Sequence, residues 1–249
     1  MEHANLQELL DKAWLKYEEP SFIEKDPISI PHRFTKKEDI EVSAFLTSII
    51  SWGNRKSILK SASSLMELLE NDPYQFIINA KDVELEKLKG FYYRTLNGED
   101  MFYIVKALKM VYKEGGFETY FRKEQVKQPL IERIAKFYNF FKQFLPEKTK
   151  KHVASIDGGS AGKRSNMFLR WMVRSSERGV DFGLWNCILP GELFLPLDVH
   201  VANIARNLNF TKRRQNDRKT VEEVTSVLCK FCPEDPIKYD FALFSLDLM

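Results

Sequence analysis

The sequence predicts an all-α fold with about ten helices, on three observations. Apolar residues recur at helical spacing through most of the chain, as Leu6, Leu10 and Ala13 do near its start. Glycine and proline are sparse, at 11 and 10 of 249 residues, and they fall mainly between the periodic stretches. No alternating apolar strands joined by tight turns and no βαβ rhythm are found in the sequence.

Periodicity and capping signals mark the predicted helices in order. Thr35 with Glu38 and Thr220 with Glu223 have capping-box spacing, which predicts that Thr35 and Thr220 are N-caps. Asp198 is predicted to cap the helix that follows it. Three prolines within 18–34 predict a long extended connection. The helical stretches lie at 6–17, 40–52, 58–69, 101–112, 130–144, 165–176 and 199–208, with two more after Thr220 and after Pro236.

Composition indicates a globular protein of a reducing compartment. Hydrophobic residues make up 44% and charged residues 29% of the chain, which is enough apolar surface for a sizeable core. Three cysteines are too few for a disulfide framework, so we expect a cytoplasmic protein. The first residues lack the pattern of a signal peptide, and no apolar stretch approaches membrane-spanning length, so we expect no membrane partner.

Basic residues gather in two stretches of a chain whose net charge is only +3. The second stretch is KRRQNDRK at 212–219. Clusters of this kind neutralise phosphates in nucleic-acid-binding proteins, but a solvated helix face has the same composition, and both interpretations stay open. The first stretch contains Lys148, Lys150, Lys151, Lys163, Arg164, Arg170, Arg174 and Arg178.

The most informative motif is a glycine-rich turn that ends in a lysine. It runs from Gly158 to Lys163, is followed by a helix, and leads to Pro-Leu-Asp-Val-His-Val at 196–201. This order resembles the segment shared by helix-hairpin-helix DNA glycosylases. The interval between Lys163 and Asp198 is longer than in the endonuclease III branch and nearer to the archaeal 8-oxoguanine glycosylase branch. The whole chain also resembles a bacterial family catalogued as a domain of unknown function.

The resemblance is specific over about 158–210 and weaker over 50–60 and 90–101. The hairpin of these glycosylases usually reads Leu-Pro-Gly-Val-Gly, whereas residues 156–162 here are longer and lack the apolar-proline start. That departure puts strong binding of duplex DNA in question. The resemblance implies a two-lobed fold, with lobe A at about 36–145 and lobe B formed by about 1–35 and 146–249. It also implies a site in the cleft between the lobes.

The activity implied is excision of a damaged base, for example an oxidised purine such as 8-oxoguanine, from duplex or single-stranded DNA. Asp198 would stabilise the positive charge that develops on the sugar. The Lys163 amine would attack C1′ and form a Schiff base, which allows strand nicking. His200 is expected to pack or to form a supporting hydrogen bond beside the site. No cofactor and no metal are expected.

Further residues are assigned to the DNA by the same resemblance. The base would leave the stack and enter a pocket with aromatic walls. Asn54 and Arg55 are candidates to fill the vacated space. The DNA-binding candidates are Gly158, Gly159, Gly162, Arg164, Asn54, Arg55, Lys212, Arg213 and Arg214. The pocket candidates are Trp52, Phe91, Tyr92 and Arg94, with Tyr93 beside them.

Each candidate also has a structural interpretation. Asp198 suits a helix N-cap without any catalytic role, Lys163 suits a solvated loop, and the aromatic residues suit a core. Cys229 and Cys232 form C-x-x-C, but with Cys187 they supply three thiolates, one fewer than an iron–sulfur cluster needs. Two alternatives to the enzyme therefore stay open: a non-catalytic nucleic-acid-binding protein of the same fold, and a helical interaction protein.

Overall fold

The computed structural model describes residues 3–153 and 156–246 and is predominantly helical, as the sequence predicts. Thirteen α-helices lie within the described residues, more than the ten expected, because four of them span only four to seven residues and are too short to show periodicity. The helices are α1 (His3–Tyr17), α2 (Lys37–Ile50), α3 (Arg55–Leu68), α4 (Pro73–Asn79), α5 (Asp82–Leu85), α6 (Gly98–Lys113), α7 (Glu118–Phe121), α8 (Leu130–Lys142), α9 (Glu147–Lys150), α10 (Lys163–Val173), α11 (Val199–Asn207), α12 (Arg218–Phe231) and α13 (Tyr239–Leu246).

Two local expectations about the connections are wrong. The proline-containing stretch after α1 is not extended but forms three short 3-10 helices, Pro20–Lys25, Pro27–Ser29 and Pro31–Arg33, each begun by a proline at its first position. A short antiparallel pair, β1 (Tyr92–Tyr93) and β2 (Leu96–Asn97), is present where the sequence predicted none. Two-residue strands leave too short an alternation to be recognised in a sequence.

Of the three predicted N-caps, one is confirmed and two are wrong. Asp198 caps α11, because its Oδ1 accepts from the backbone N–H of Val201 at 3.0 Å. Thr35 lies before the true N-cap of α2, Lys36, which makes no side-chain capping bond. Thr220 lies inside α12, whose N-cap Asp217 accepts from the Thr220 backbone N–H at 3.0 Å. In both errors the capping-box spacing occurs, but the helix begins elsewhere.

The chain divides into two compact units. The terminal unit comprises Met1–Glu24, Pro129–Ile131 and Ser155–Met249, and the central unit comprises Lys25–Gln128 and Glu132–Ala154. Among the helices that the structure describes, none has the length and apolar character that crossing a bilayer requires.

In the terminal unit, α13 joins the N-terminal helix to the C-terminal half of the sequence. It packs against α1 and α11, and α12 packs against the 3-10 turn Pro236–Lys238 that leads into it. Trp171, Trp185 and Tyr239 are fully buried there. This packing brings the N-terminal helix together with the C-terminal half of the sequence.

In the central unit, α2 is buried along nearly its whole length and packs against α3 and α4. Beside it, α6 packs against α4 and β2. Phenylalanine rings from α2, α8 and the α6–α8 region make edge-to-face and tilted contacts with centroids 5.2–5.8 Å apart, a spacing at which such pairs attract. The core of this unit is therefore aromatic.

Candidate functional site

The glycine-rich turn of the terminal unit has a backbone that only glycine adopts easily. Gly159 and Gly162 have φ angles of +85° and +58°, in the left-handed region. A Cβ at Gly162 would lie 2.7 Å from the Cβ of Ile156, which is closer than real Cβ atoms approach. Gly162 is the N-cap of α10, so this turn places Lys163 at the first position of the helix.

Asn166 connects the start of α10 with the segment that leads to Asp198. Its side chain is 1% exposed. Its Nδ2 donates to the carbonyl of Ala161 at 3.1 Å and, more weakly, to the carbonyl of Leu195 at 3.4 Å. Leu195 lies three residues before Asp198, and Asn166 three residues after Lys163. One buried amide thus holds the two sequence segments together.

Lys163 and Asp198 are both half-buried, and a third group, Asp240 on α13, responds to both. The Asp240 carboxylate is buried and forms an ion pair with the guanidinium of Arg170. Burial raises the pKa of Asp240 from 3.8 to about 6, against the lowering effect of Arg170; the Asp198 charge raises this pKa further and the Lys163 charge lowers it.

A network of buried charges extends from Asp240. Arg170 Nε lies 3.4 Å from Asp181 Oδ1. Arg174, one turn along α10, contacts Asp181 at 2.6 Å, Glu18 at 2.7 Å and Asp235 at 2.9 Å. Burial also raises the pKa of Asp181.

This network decides the role of the two arginines of the first basic stretch, for which phosphate binding and a solvated face were both open. Arg170 and Arg174 are 5% and 3% exposed and are engaged by carboxylates. Lys148 and Lys150 form ion pairs with Glu99 and Glu147, at 2.6 and 2.7 Å. Four of these eight cations therefore pair with acidic groups of the chain itself, and several of the acids, such as Glu99 and Asp240, lie far away along the sequence.

The second basic stretch, in contrast, lies against the glycine-rich turn. Ser160 and Asp217 form an isolated antiparallel bridge, and the backbone N–H of Arg218 donates to the carbonyl of Gly159 at 3.1 Å. Lys212 and Arg214 are exposed. We call the turn 158–162 together with 212–219 the basic face.

Within the basic face, the Arg213 side chain stabilises the loop. Arg213 donates to Asp217 at 2.7 Å and to Thr220 at 3.0 Å, so it holds the loop against the start of α12. Arg206 supports the same loop through the carbonyls of Arg213 and Arg214, at 2.8 and 3.0 Å. Arg164 is half-buried at the second position of α10, and His200 is exposed at the second position of α11.

The remaining candidates belong to the central unit. Asn54 caps α3 by accepting from the Ser57 backbone N–H at 3.2 Å, and Arg55 is exposed as the first residue of that helix. The guanidinium of Arg94 lies 4.7 Å from the centroid of the Trp52 ring, a cation–π contact. Trp52 and Arg94 therefore cover one another instead of forming open walls of a pocket.

Phe91 and Tyr92 do line a groove in the central unit, with a volume of about 680 Å³. Phe91 is buried at its floor, whereas Tyr92 is 71% exposed. Trp52 and Arg94 are not part of this lining among the described residues. The other lining residues are Ser57, Lys60, Ser61, Ser64, Glu67, Leu68 and Gly90. Of the four predicted pocket residues, the structure brings two to this groove.

The cysteines are not joined in disulfides, and Cys187, Cys229 and Cys232 are each half-buried. Burial raises the pKa of the Cys229 thiol. Over 3–153 and 156–246, no group of three or more His, Cys, Asp or Glu side chains is arranged to hold a metal ion.

Sequence reasoning missed Asp240, Arg170 and Asn166 as members of this site. The signal was present for two of them, because a single charged residue inside an apolar run is rarely buried without a partner. Asp240 stands within YDFALF, and Arg170 within MFLRWMV. No such signal distinguishes Asn166, since its role depends on a carbonyl 29 residues away.

Comparison with known proteins places the chain in a family. Residues 26–249 match the model of a family described as protein of unknown function (DUF2400). The chain belongs to this family. Neither the curated proteins nor the solved structures provide a match.

Proposed function

We propose that this DUF2400 protein is a DNA glycosylase that removes a damaged base, with Lys163 as nucleophile and Asp198 as the carboxylate that stabilises the charged sugar. The observation that supports the proposal is that the buried Asn166 amide, near the start of α10 and Lys163, also donates to the carbonyl of Leu195 at 3.4 Å, three residues before Asp198. Glycosidic-bond cleavage with a covalent intermediate requires an amine and a carboxylate at one site, and Lys163 and Asp198 are both half-buried.

The proposed reaction starts with the neutral amine of Lys163. Its nitrogen forms a bond to C1′ of the damaged nucleotide while the bond from C1′ to the base breaks, and the electron pair of that bond leaves with the base, which takes up a proton. The nitrogen then gives one proton to water, and its lone pair forms the C1′=N bond while the C1′–O4′ bond breaks. The electron pair of that bond stays on O4′, which takes up a proton from water to become a hydroxyl, so that a protonated Schiff base joins Lys163 to C1′. Removal of a proton from C2′ expels the 3′-phosphate and nicks the strand.

The role of Asp198 follows from the electrostatics of the first step. Positive charge develops on the sugar as the base leaves, and a fixed carboxylate stabilises it. The helix cap engages Oδ1 of Asp198, so we assign Oδ2 to the sugar. The cap also fixes the direction of the carboxylate, which is useful because a preorganised charge needs no rearrangement during the reaction.

The basic face supports the choice of nucleic acid as substrate. Exposed Lys212 and Arg214 lie on the loop that adjoins the glycine-rich turn, and cations of this kind neutralise phosphates in DNA-binding proteins. In this proposal Lys163 and Asp198 act on the damaged nucleotide. The basic face binds the sugar-phosphate backbone on either side of it. An oxidised purine such as 8-oxoguanine is the first lesion to test.

The test is borohydride trapping on a panel of oligonucleotides with lesions or an abasic site. Wild type is expected to form a covalent adduct with at least one of them, and Lys163→Ala to form none. Lys230→Ala, which removes an exposed lysine of α12 in the same unit, is the matched control and should trap like wild type.

Asp198→Asn separates charge from capping, because asparagine also caps helices. We expect it to slow base release about 10²–10³-fold, the range found when one charge-stabilising group is removed. Asp26→Asn changes another capping carboxylate, which accepts from Ile28 N–H at 3.1 Å, and should have no such effect.

Two other results would rule out the glycosylase proposal, and each would favour one of the alternatives. Salt-dependent DNA binding without any adduct or base release would indicate the non-catalytic binder. No binding to any oligonucleotide at low salt would indicate a helical interaction protein.

A further inference from the structure

We infer that the outward face of α11 and the loop after it, residues 200–219, form one nucleic-acid-binding surface, which we call the α11–loop surface. The loop cations contact phosphates, the amides of α11 contact bases and sugars, and Arg206 holds the two parts in a fixed arrangement. The choice of nucleic acid as the partner rests on the proposed function. The surface itself does not depend on the reaction.

The exposed side chains of the α11–loop surface are of one kind. Across 200–219 none of them is acidic and none is apolar. Lysine and arginine contact phosphates in protein–DNA interfaces, and asparagine and glutamine also bond to sugars and base edges. A surface that binds lipid would instead combine its cations with exposed apolar side chains. The exposed residues are His200, Asn203, Asn207, Asn209, Lys212, Arg214, Gln215, Asn216 and Lys219.

The positive charge of this stretch is not neutralised by the chain. Residues 199–219 contain six basic residues and one acidic residue, a net charge of +5, whereas the whole chain carries +3. Two of the six, Arg213 and Arg218, form ion pairs at 2.7 and 2.6 Å. Three others are exposed and form no ion pair with a residue that the structure describes: Lys212, Arg214 and Lys219.

Arg206, the sixth basic residue, joins α11 to the loop. Its guanidinium donates to the carbonyls of Arg213 and Arg214, at 2.8 and 3.0 Å, and to the side chain of Asn216. It also donates to Oδ1 of Asn203 on α11, at 3.2 Å. A planar guanidinium bonds several acceptors at fixed angles, which a lysine ammonium does not do. Arg206 therefore orients two of the exposed amides and the backbone that carries Arg214.

The loop is also held by the two threonines at its ends. Thr220 Oγ1 donates to the carbonyl of Gln215 at 2.6 Å, and Thr211 Oγ1 donates to Glu223 at 2.8 Å. Ordering a loose loop when a ligand binds costs conformational entropy, and a loop that is ordered beforehand avoids this cost. A preformed array of cations suits a ligand whose charges have a regular spacing, as the phosphates of a nucleic-acid strand have.

The test is the binding of an undamaged DNA duplex, followed by fluorescence anisotropy at several NaCl concentrations. If three cations each neutralise a phosphate, the logarithm of the affinity should fall with the logarithm of salt concentration with a slope of about −3 or steeper. Lys212→Ala, Arg214→Ala and Lys219→Ala should each make this slope shallower by about one unit. Lys230→Ala, an exposed lysine of α12 outside the surface, is the control and should leave the slope unchanged.

Asn207→Ala tests the contact of α11 with DNA, because it removes an exposed amide but no charge. We expect this variant to bind about three- to tenfold more weakly at an unchanged salt slope, the effect of losing about one hydrogen bond. Asn79→Ala, which removes an exposed amide of α4 in the central unit, should bind like wild type. An Asn207→Ala affinity equal to that of wild type would overturn the contact of α11.

Arg206→Lys keeps the charge and loses the planar group. If Arg206 acts by positioning, this variant should bind as weakly as Arg206→Met, and its salt slope should be shallower by more than about one unit. Wild-type binding by Arg206→Lys would overturn the positioning role. If neither Arg206 variant folds, the exposed loop lysines, Arg214 and Asn207 decide the inference.

Three further outcomes would overturn the α11–loop surface as a nucleic-acid site. These are a salt slope unchanged in all three loop variants, an equal affinity for a sulfated polysaccharide, and binding to phosphatidylserine vesicles without binding to DNA. The proposed function fails separately. An adduct trapped by a protein whose loop variants keep the wild-type slope would overturn only this surface, and salt-dependent binding without an adduct would overturn only the catalysis.

Discussion

The interiors of the two units are stabilised by different kinds of interaction. The central unit stacks aromatic rings around Phe137, which contacts Phe45, Phe117 and Phe141 with centroids 5.4–5.8 Å apart. The terminal unit buries a chain of ion pairs around Arg170 and Arg174. Aromatic packing stabilises without regard to pH, whereas buried ion pairs gain little over apolar packing and fail when one partner is lost.

The terminal unit buries charged groups, and their burial is unfavourable in free energy. Four acids surround the two arginines, and burial raises the pKa of Asp181 and Asp240. An excess of buried negative charge is unfavourable for stability alone. These acids lie in the unit that also contains Lys163 and Asp198, to which we assign the chemistry.

The largest effect is expected from breaking the network at its centre. Arg174→Met leaves Glu18, Asp181 and Asp235 without their common partner, so the free energy of unfolding should fall by about 4–5 kcal/mol at neutral pH. The loss should be smaller near pH 4, because the stranded acids take up protons. Urea unfolding at both pH values measures this, with Arg178→Met, which donates to the carbonyls of Glu18 and Leu15, as the control. An equal loss at the two pH values would contradict it.

The corresponding change in the central unit is Phe137→Ala. Removing the ring at the middle of the aromatic cluster should cost about 3–4 kcal/mol through lost contacts and a cavity. The same urea unfolding should give the same loss at both pH values, since no charge is involved. A pH-dependent loss would mean that the contrast between the units is wrong.

A third prediction concerns the pH dependence caused by Asp240. Its folded pKa, near 6, lies above the ordinary 3.8, so the folded protein binds the proton more tightly than the unfolded chain and this group lowers stability as pH rises between those values. Wild type should therefore lose about 2 kcal/mol relative to Asp240→Asn between about pH 4 and about pH 7. Parallel stability curves for the two proteins would rule this out.

Substitutions at different glycines of the glycine-rich turn should have different effects on the free energy of unfolding. Gly162→Ala forces a left-handed alanine against Ile156 and should cost about 1–2 kcal/mol. Gly158→Ala meets open space and serves as the control, with a change near zero. Thermal unfolding compares the two, and equal costs would show that the turn is not constrained as described.

The smallest expected effect on stability is that of Lys163→Ala. A half-buried lysine outside the network should change the free energy of unfolding by less than about 0.5 kcal/mol. Together with loss of the trapped adduct, this would mark Lys163 as functional instead of structural. A loss of several kcal/mol in the free energy of unfolding, measured in urea, would show that Lys163 belongs to the buried ion-pair network.

Much of the fold was predictable because its signals are local. The spacing of Leu6, Leu10 and Ala13 predicts α1, and Asp198 is an N-cap in both the sequence and the structure. Other local signals misled, as with the capping-box spacing of Thr35 and Thr220, because more than one residue near a helix start is able to cap it and packing selects among them.

The sequence by itself determined the helical class, the position of the glycine-rich turn and the residue types that suit glycosidic chemistry. Only the tertiary structure decided which charges meet. Arg170 and Arg174 read as surface cations along the chain, yet their partners come from Glu18, Asp181, Asp235 and Asp240. The physical reason is that periodicity and capping act over a few residues, whereas a buried charge is satisfied by whichever opposite charge folding brings within a few ångströms.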